Sequence, residues 1–187
     1  MNTLEIELKY AVADFAPIRS LLADWQARPD EPIDEADHYF NAPDRDFART
    51  DEVFRLRRIG SANRLTYKGP KSPGLVKTRP EIEIGLTEGD LTAEDTSRLL
   101  TSLGYRPVAI VRKRRHIYHW QRQGFAMQIC LDELAELGRF VEVEIIATAE
   151  QRADAEKVLL QTAAELGLER LERRSYLAMV LGVKSTN

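Results

Sequence analysis

The stretch Leu4-Glu5-Ile6-Glu7-Leu8-Lys9-Tyr10 alternates apolar and charged residues without a break. Side chains alternate across a strand, so a period of two puts Leu4, Ile6, Leu8 and Tyr10 on one face. Glu5, Glu7 and Lys9 share the other face, in a strand expected over Leu4 to Val12. A solvated strand face usually mixes Thr, Ser, Gln and Lys; this one holds only charged groups. Glu is disfavoured in strands, and carboxylates crowded on one face repel. Something must neutralise them.

The same pattern returns along the chain. Arg55 and Arg57 lie opposite Phe54 and Leu56 in a strand expected over Phe54 to Ile59. Thr66 and Lys68 share a face in Arg64 to Lys68, and Gly60-Ser61-Ala62-Asn63 is the hairpin turn between these two strands. Arg79, Glu81 and Glu83 stand together opposite Ile82 and Ile84, within Val76 to Leu86. Lys113 and Arg115 share a face in Val108 to Trp120, as do Cys130 and Asp132 at the end of the strand expected over Gly124 to Leu131 and just past it. Glu142 and Glu144 face away from Val141, Val143 and Ile145 in Phe140 to Ala147. A solvent-facing side explains any one of these strands. It explains the whole set poorly, because repeated Glu-x-Glu and Arg-x-Arg pairs are not ordinary surface composition.

Between the strands the helical signals are few. Asp14 can cap a helix with Pro17 in its first turn and Ile18, Leu21, Leu22 and Trp25 at helical spacing, ended by Pro29 and Pro32. A short strand is expected around Asp37 to Asn41, followed by a turn at Pro43-Asp44-Arg45. Lys71-Ser72-Pro73-Gly74 reads as a loop, and turns are expected at Gln121-Arg122-Gln123-Gly124 and around Leu137-Gly138-Arg139. Helices are expected over Thr92 to Leu103, with Gly104 as its stop, over Ala149 to Leu166, ended by Gly167, and over Ser175 to Leu181. No linker, repeat or low-complexity run divides the chain. The fold expected is α+β, one domain around a large, mainly antiparallel sheet, over residues 1–182 with a tail at 183–187.

Composition bounds the function. The 187 residues are 43% hydrophobic and 30% charged, the profile of a globular protein. With 27 Lys and Arg against 30 Asp and Glu, the net charge is -3, which argues against a surface-wide nucleic-acid footprint. Cys130 is the single cysteine, so neither an internal disulfide nor a Cys-rich zinc site is available. No apolar run approaches the ~20 residues needed to span a bilayer, and the charged N-terminus is no signal peptide. The expectation is a cytoplasmic protein that binds neither nucleic acid nor membrane, as a monomer or homodimer.

Curled until it closes, such a sheet becomes a β-barrel whose bore carries acidic and basic sectors. Unpaired buried charge is too costly for a dry core. The bore must be wet and take a highly charged ligand. Mg²⁺ takes oxygen ligands and shares them with substrate phosphates, while Arg matches phosphate oxygens with its fork of N–H donors. A polyphosphate with its metal ions fits both needs. Other motifs carry less. Arg112-Lys113-Arg114-Arg115 alternates as a strand rather than forming a nucleic-acid patch. His38, His116 and His119 have no metal-ligand spacing on a shared face, and Lys68-Gly69-Pro70 lacks a phosphate-loop framework.

Further motifs follow in order: Glu5-x-Glu7-x-Lys9, Tyr39-Phe40-Asn41-x-Pro43, Thr50-Asp51-Glu52, Arg55-x-Arg57 and Leu65-Thr66-Tyr67-Lys68-Gly69-Pro70. Arg79-x-Glu81-x-Glu83, Val111-x-Lys113-x-Arg115, Asp132, Leu137-Gly138-x-Phe140-Val141-Glu142-x-Glu144 and Arg174-Ser175-Tyr176-Leu177 complete the series. Together they resemble the CYTH superfamily, the triphosphate tunnel metalloenzymes. The resemblance implies an eight-stranded antiparallel β-barrel, the triphosphate tunnel, with helices packed outside. The segment from Tyr39 to Arg57 and the Arg-Ser-Tyr-Leu ending resemble the class IV adenylate cyclase branch, in which ATP becomes cyclic AMP and pyrophosphate. Ala178 departs from the acidic residue that often follows there.

By that resemblance Glu5, Glu7, Glu142 and Glu144 would hold Mg²⁺ or Mn²⁺ with Asp132 assisting, and Glu81 and Glu83 as further ligands. Lys9, Arg55, Arg57, Lys68, Arg79, Lys113 and Arg115 would grip the triphosphate. Lys9, Glu5, Glu7 and Glu142 form the implied catalytic set. ATP or tripolyphosphate is the expected small-molecule partner. Hydrolysis of inorganic, thiamine or nucleoside triphosphate is the alternative activity, and non-catalytic polyphosphate or nucleotide binding is a third reading.

Overall fold

Each run of alternating apolar and charged residues is a strand in the computed structural model, which describes residues 3–74 and 76–184. In chain order the elements are β1 (Thr3–Val12), α1 (Ala16–Asp24), β2 (Arg28–Pro29), β3 (Ile33–Asn41), α2 (Phe47–Thr50), β4 (Val53–Ile59) and β5 (Ala62–Lys68). Then come β6 (Lys77–Leu86), α3 (Asp90–Ser102), β7 (Arg106–Arg122), β8 (Phe125–Leu134), β9 (Gly138–Thr148), α4 (Arg152–Glu165), β10 (Arg170–Leu171) and α5 (Tyr176–Lys184). Residues 185–187 of the expected tail lie outside the described residues. Among the described residues no helix is long and apolar enough to cross a membrane.

The strand order is β10-β1-β6-β5-β4-β3-β7-β8-β9, with β1 also paired to β9 and β2 to β7. The order of the eight long strands is therefore closed, and the fold is an antiparallel β-barrel with helices outside. Closure leaves the long strands no free edge.

Two compact units make up the chain. The first comprises Met1–Pro32, Ser72–Arg79 and Arg114–Arg173; the second comprises Ile33–Lys71, Pro80–Lys113 and Arg174–Asn187. In the first unit the apolar face of β1, β8 and β9 is covered by α1 and α4. Ile6, Leu8, Ile129, Val141 and Val143 meet Ile18, Leu22, Val158 and Leu159 in one buried cluster. In the second unit α3 lays Ala93 and Leu100 on Phe40 and Leu56, a much smaller cluster. Burial of one face by helices leaves the charged residues to the other.

Several boundaries differ from the sequence expectation, each for a local reason. Strand β3 begins at Ile33 rather than near Asp37, because Ile33-Asp34-Glu35-Ala36 carries no apolar alternation to announce it. Strand β7 runs on to Arg122, since the chain reverses over Gln123 and Gly124, at φ 50 and 83, rather than over four residues. Positive φ at both central residues is the hairpin turn that matches strand twist. Helix α1 ends at Asp24, before either proline, because Gln26 turns left-handed at φ 56. Asp14 does accept the Ala16 N–H at 3.2 Å, although Phe15 occupies the cap position. Helix α3 starts at Asp90 after Gly89, ahead of Thr92. The turn after Pro43 continues into the short α2, capped by the Asp46 carboxylate on the Ala48 N–H.

Candidate functional site

The register of the first unit sets its charged face. Across β1 and β9, Glu7 stands directly opposite Glu144 and Lys9 opposite Glu142. Across β9 and β8, Glu142 faces Cys130 and Glu144 faces Gln128; across β8 and β7, Asp132 faces Arg115. Glu5, Lys9, Arg79, Arg115, Asp132 and Glu142 are all buried. Glu7 and Glu144 are half-buried.

Arg115 grips Asp132 through two parallel bonds, Nε to Oδ1 at 2.6 Å and Nη2 to Oδ2 at 2.5 Å, and its Nη2 also reaches Glu142. Bidentate geometry of this kind is what makes a buried guanidinium tolerable. Burial disfavours its charge, yet Asp132 and Glu142 raise its pKa further above the usual arginine value. Lys9 Nζ lies 3.5 Å from Glu142, and Lys77 Nζ donates to Glu7 at 2.8 Å. Burial would lower the Lys77 pKa, but Glu7 and Glu142 together raise it. Cys130 is fully buried, and that desolvation pushes its thiol well up, so it remains protonated and unreactive. Arg79 is different. Among the described residues its buried Nη1 has no hydrogen-bond partner.

The second unit arranges its charges the other way round. Asp37 faces Arg57 across β3 and β4 and accepts from its Nε at 2.6 Å and Nη2 at 2.8 Å, and from Arg55 Nη1 at 3.0 Å. Burial would raise the Asp37 pKa, but Arg55 and Arg57 hold it well below the usual carboxylate range. Glu35 lies 3.0 Å from Arg57 and 3.1 Å from Lys113. Lys113 also sits 5.1 Å above the Tyr176 ring, a cation–π contact that joins α5 to this face. Lys68 lies 3.3 Å from Glu81. Glu83 is exposed and takes bonds from Arg64 at 2.8 Å and Thr66 at 3.3 Å.

The expected site residues thus fall into two sets. Glu5, Glu7, Lys9, Arg79, Arg115, Asp132, Glu142 and Glu144 belong to the first unit, and Arg55, Arg57, Lys68, Glu81, Glu83 and Lys113 to the second. Glu35, Asp37 and Lys77 were missed by sequence reasoning. Their signal was present: Glu35-x-Asp37-x-Tyr39 and Lys77-x-Arg79 carry the same period of two. Among the described residues no three His, Cys, Asp or Glu side chains converge, as they stand, into a metal cage. The donor set nevertheless suits a hard divalent cation. Glu7 and Glu144 are all-oxygen ligands placed opposite one another, with the Lys77 ammonium on Glu7.

The CYTH domain family model matches residues 3–176. The chain is 30% identical over 180 residues to the adenylate cyclase CyaB of Aeromonas hydrophila, covering 92% of this chain and 86% of that protein. A solved structure of a Pyrococcus horikoshii OT3 protein is 34% identical, with a TM-score of 0.83 over 95% of this chain and 98% of that one. A Hippeastrum protein, a candidate adenylyl cyclase with a dominant triphosphatase activity, has a TM-score of 0.67 at 17% identity, covering 94% of this chain and 93% of its own. That last likeness is one of fold alone.

Proposed function

From the premise that the chain belongs to the CYTH domain family, we propose that it is a metal-dependent adenylate cyclase, converting ATP to 3′,5′-cyclic AMP and pyrophosphate. The observation that carries the reading is the buried Arg79 guanidinium, whose Nη1 has no hydrogen-bond partner among the described residues, on a face otherwise crowded with carboxylates and cations. An unsatisfied buried cationic donor calls for an anion. Opposed carboxylates call for a cation. A metal–triphosphate brings both.

Glu5, Glu7, Glu142 and Glu144, with Asp132 beside them, would hold Mg²⁺ or Mn²⁺. Once bound, such an ion supplies positive charge to phosphate oxygens and favours ionisation of an attacking hydroxyl. Glu81 and Glu83, tied to Lys68 and Arg64, stand outside this proposed ligand set. Lys9, Arg55, Arg57, Lys68, Arg79, Lys113 and Arg115, the cations that the resemblance singles out, would donate to phosphate oxygens. Phosphoryl transfer depends on positioning and charge stabilisation, so no covalent nucleophile is required. In the reaction the ribose 3′-oxygen bonds to the α-phosphorus, and the bond to the bridging oxygen breaks to release pyrophosphate. Asp37 and Glu35 would hold the cations of the second unit in place.

Triphosphate hydrolysis is the second reading, favoured by the activity of the Hippeastrum protein, which shares the fold. Purified protein incubated separately with ATP, tripolyphosphate and thiamine triphosphate, each with Mg²⁺ or Mn²⁺, separates the two. Cyclic AMP and pyrophosphate in equal amounts from ATP are the expected products. Phosphate release without cyclic AMP would overturn the cyclase in favour of the hydrolase. Tight binding without turnover would leave a polyphosphate or nucleotide binder.

A further inference from the structure

One cross-strand row of the first unit leads away from the carboxylate pair. Glu7 faces Glu144, Glu144 faces Gln128, and Gln128 faces His119. With strands ~5 Å apart, Gln128 stands one strand spacing from Glu144 and about 10 Å from Glu7. At this end of the row lies a pocket of about 710 Å³, lined by Trp25, His119, Trp120, Gln128, Glu144 and Ile146 among others.

The lining is mixed in chemistry. It includes Glu144, a proposed metal ligand. It also includes Trp25 and Trp120, which stack with ring centroids 4.4 Å apart at 16°, and the Arg122 guanidinium lies 5.5 Å from the centre of the Trp120 ring. Such a stack is a stiff apolar wall. Ile146 is 55% exposed there, a large apolar side chain left facing water. The half-buried Gln128 carboxamide and His119 imidazole line the same pocket. His119 is held by Asp30, 2.6 Å from its Nε2, and Asp30 is in turn pinned by its N–H to the Ile117 carbonyl at 2.9 Å.

We propose that this pocket is the nucleobase subsite of the enzyme, and that Gln128 is the residue that reads an adenine. The proposal rests on the triphosphate reading above and specifies what the triphosphate carries. A purine needs flat apolar surface for its faces and a few placed donors and acceptors for its edges. A glutamine carboxamide presents one donor and one acceptor side by side, the complement of adenine N6 and N7. Tripolyphosphate would use none of these groups. The row therefore separates the two substrate classes that the charged face alone treats alike.

The test is equilibrium binding by calorimetry, with magnesium present, of tripolyphosphate and of non-hydrolysable analogues of ATP and GTP. Wild type is compared with Gln128→Leu and Gln128→Glu, each first checked for a wild-type melting curve. The expected result is an ATP-analogue affinity about 10- to 100-fold lower in both variants, the value of one bidentate base contact. Tripolyphosphate affinity should stay within about twofold, and wild type should prefer the ATP analogue to the GTP analogue. Unchanged ATP-analogue affinity, or an equal loss for tripolyphosphate, overturns the nucleobase subsite while the triphosphate reading stands. Failure of wild type to bind tripolyphosphate overturns that reading, and the subsite with it.

Discussion

The two units use one sequence device for opposite purposes. In the first, Glu5, Glu7, Asp132, Glu142 and Glu144 outnumber Lys9, Lys77, Arg79 and Arg115. In the second, Arg55, Arg57, Arg64, Lys68 and Lys113 outnumber Glu35, Asp37, Glu81 and Glu83. The support differs as well. The first unit rests its charged strands on a wide apolar face under α1 and α4, while among the described residues the cluster under α3 in the second is smaller, and Ile82 and Ile84 are exposed. The difference teaches that a carboxylate on such a face has two possible duties. Where carboxylates are in excess, an incoming cation is the further partner proposed for them; where cations are in excess each carboxylate is a brace.

The sharpest break of that comparison is to remove one acid from each unit. Glu142→Gln in the first unit should lower turnover by on the order of a thousandfold, because several kcal/mol of charge stabilisation go with a lost ligand, at 1.36 kcal/mol per decade. Steady-state assays with the substrate that wild type turns over provide the check. A rate within tenfold of wild type would end the assignment of the first unit's carboxylates to a metal.

Asp37→Ala should act on the fold first. It strips the shared partner from two buried guanidiniums, Arg55 and Arg57, a loss of about 3–5 kcal/mol. Urea unfolding at pH 7 measures it. The pH dependence follows from the sign of the shift: Asp37 ionises well below its unfolded value, so its contribution is complete above about pH 4. It is lost only as pH falls through the depressed folded value. Unfolding at pH 4.5 should therefore still show the full difference from wild type. A destabilisation under 1 kcal/mol at pH 7 would mean that the cations of the second unit need no brace.

Lys68→Ala tests the other half of the comparison. Its ammonium has Glu81 as a neighbour at 3.3 Å, and it should raise KM about 10- to 100-fold, the size of one charged hydrogen bond. If kcat falls a thousandfold instead with KM constant, the second unit does more than bind.

Much of this was legible before any coordinates, and what was not has a common cause. Parity placed Glu5, Glu7 and Lys9 on one face because Leu4, Ile6, Leu8 and Tyr10 marked the other so plainly. The strand carrying Glu35 and Asp37 lacks that marker: Asp34 is exposed and Ala36 half-buried, so polar residues fall on both faces. Pairing was hidden too. A period of two says which side chains share a face, but the match of Asp37 with Arg57 is set by long-range register. The two-residue strands β2 and β10 are too short for any periodicity. The bare Nη1 of Arg79, the observation on which the function turns, is a property of packing alone.

The smallest effect sits on the far side of the second unit's strands and tests how a weakly cored unit holds itself together. Glu52 accepts from Arg45 at 2.8 Å, from Thr50 at 2.5 Å and from the Tyr67 hydroxyl at 2.6 Å. The Arg45 bond, with help from Thr50 and Tyr67, outweighs burial and depresses the Glu52 pKa from 4.5 to about 2. Tyr67→Phe removes one of those donors and should cost about 1 kcal/mol at pH 7. It should also raise the folded pKa of Glu52 toward its unfolded value. Stability from a depressed carboxylate is present above the unfolded pKa and is lost as pH falls through the folded one. The stabilities of Tyr67→Phe and wild type should therefore differ most near neutrality and converge as pH drops from about 4.5 toward about 2. Chemical denaturation at a series of pH values reads this directly. A constant gap down to the acid end would show that the Tyr67 hydroxyl does not act through the ionised Glu52 carboxylate.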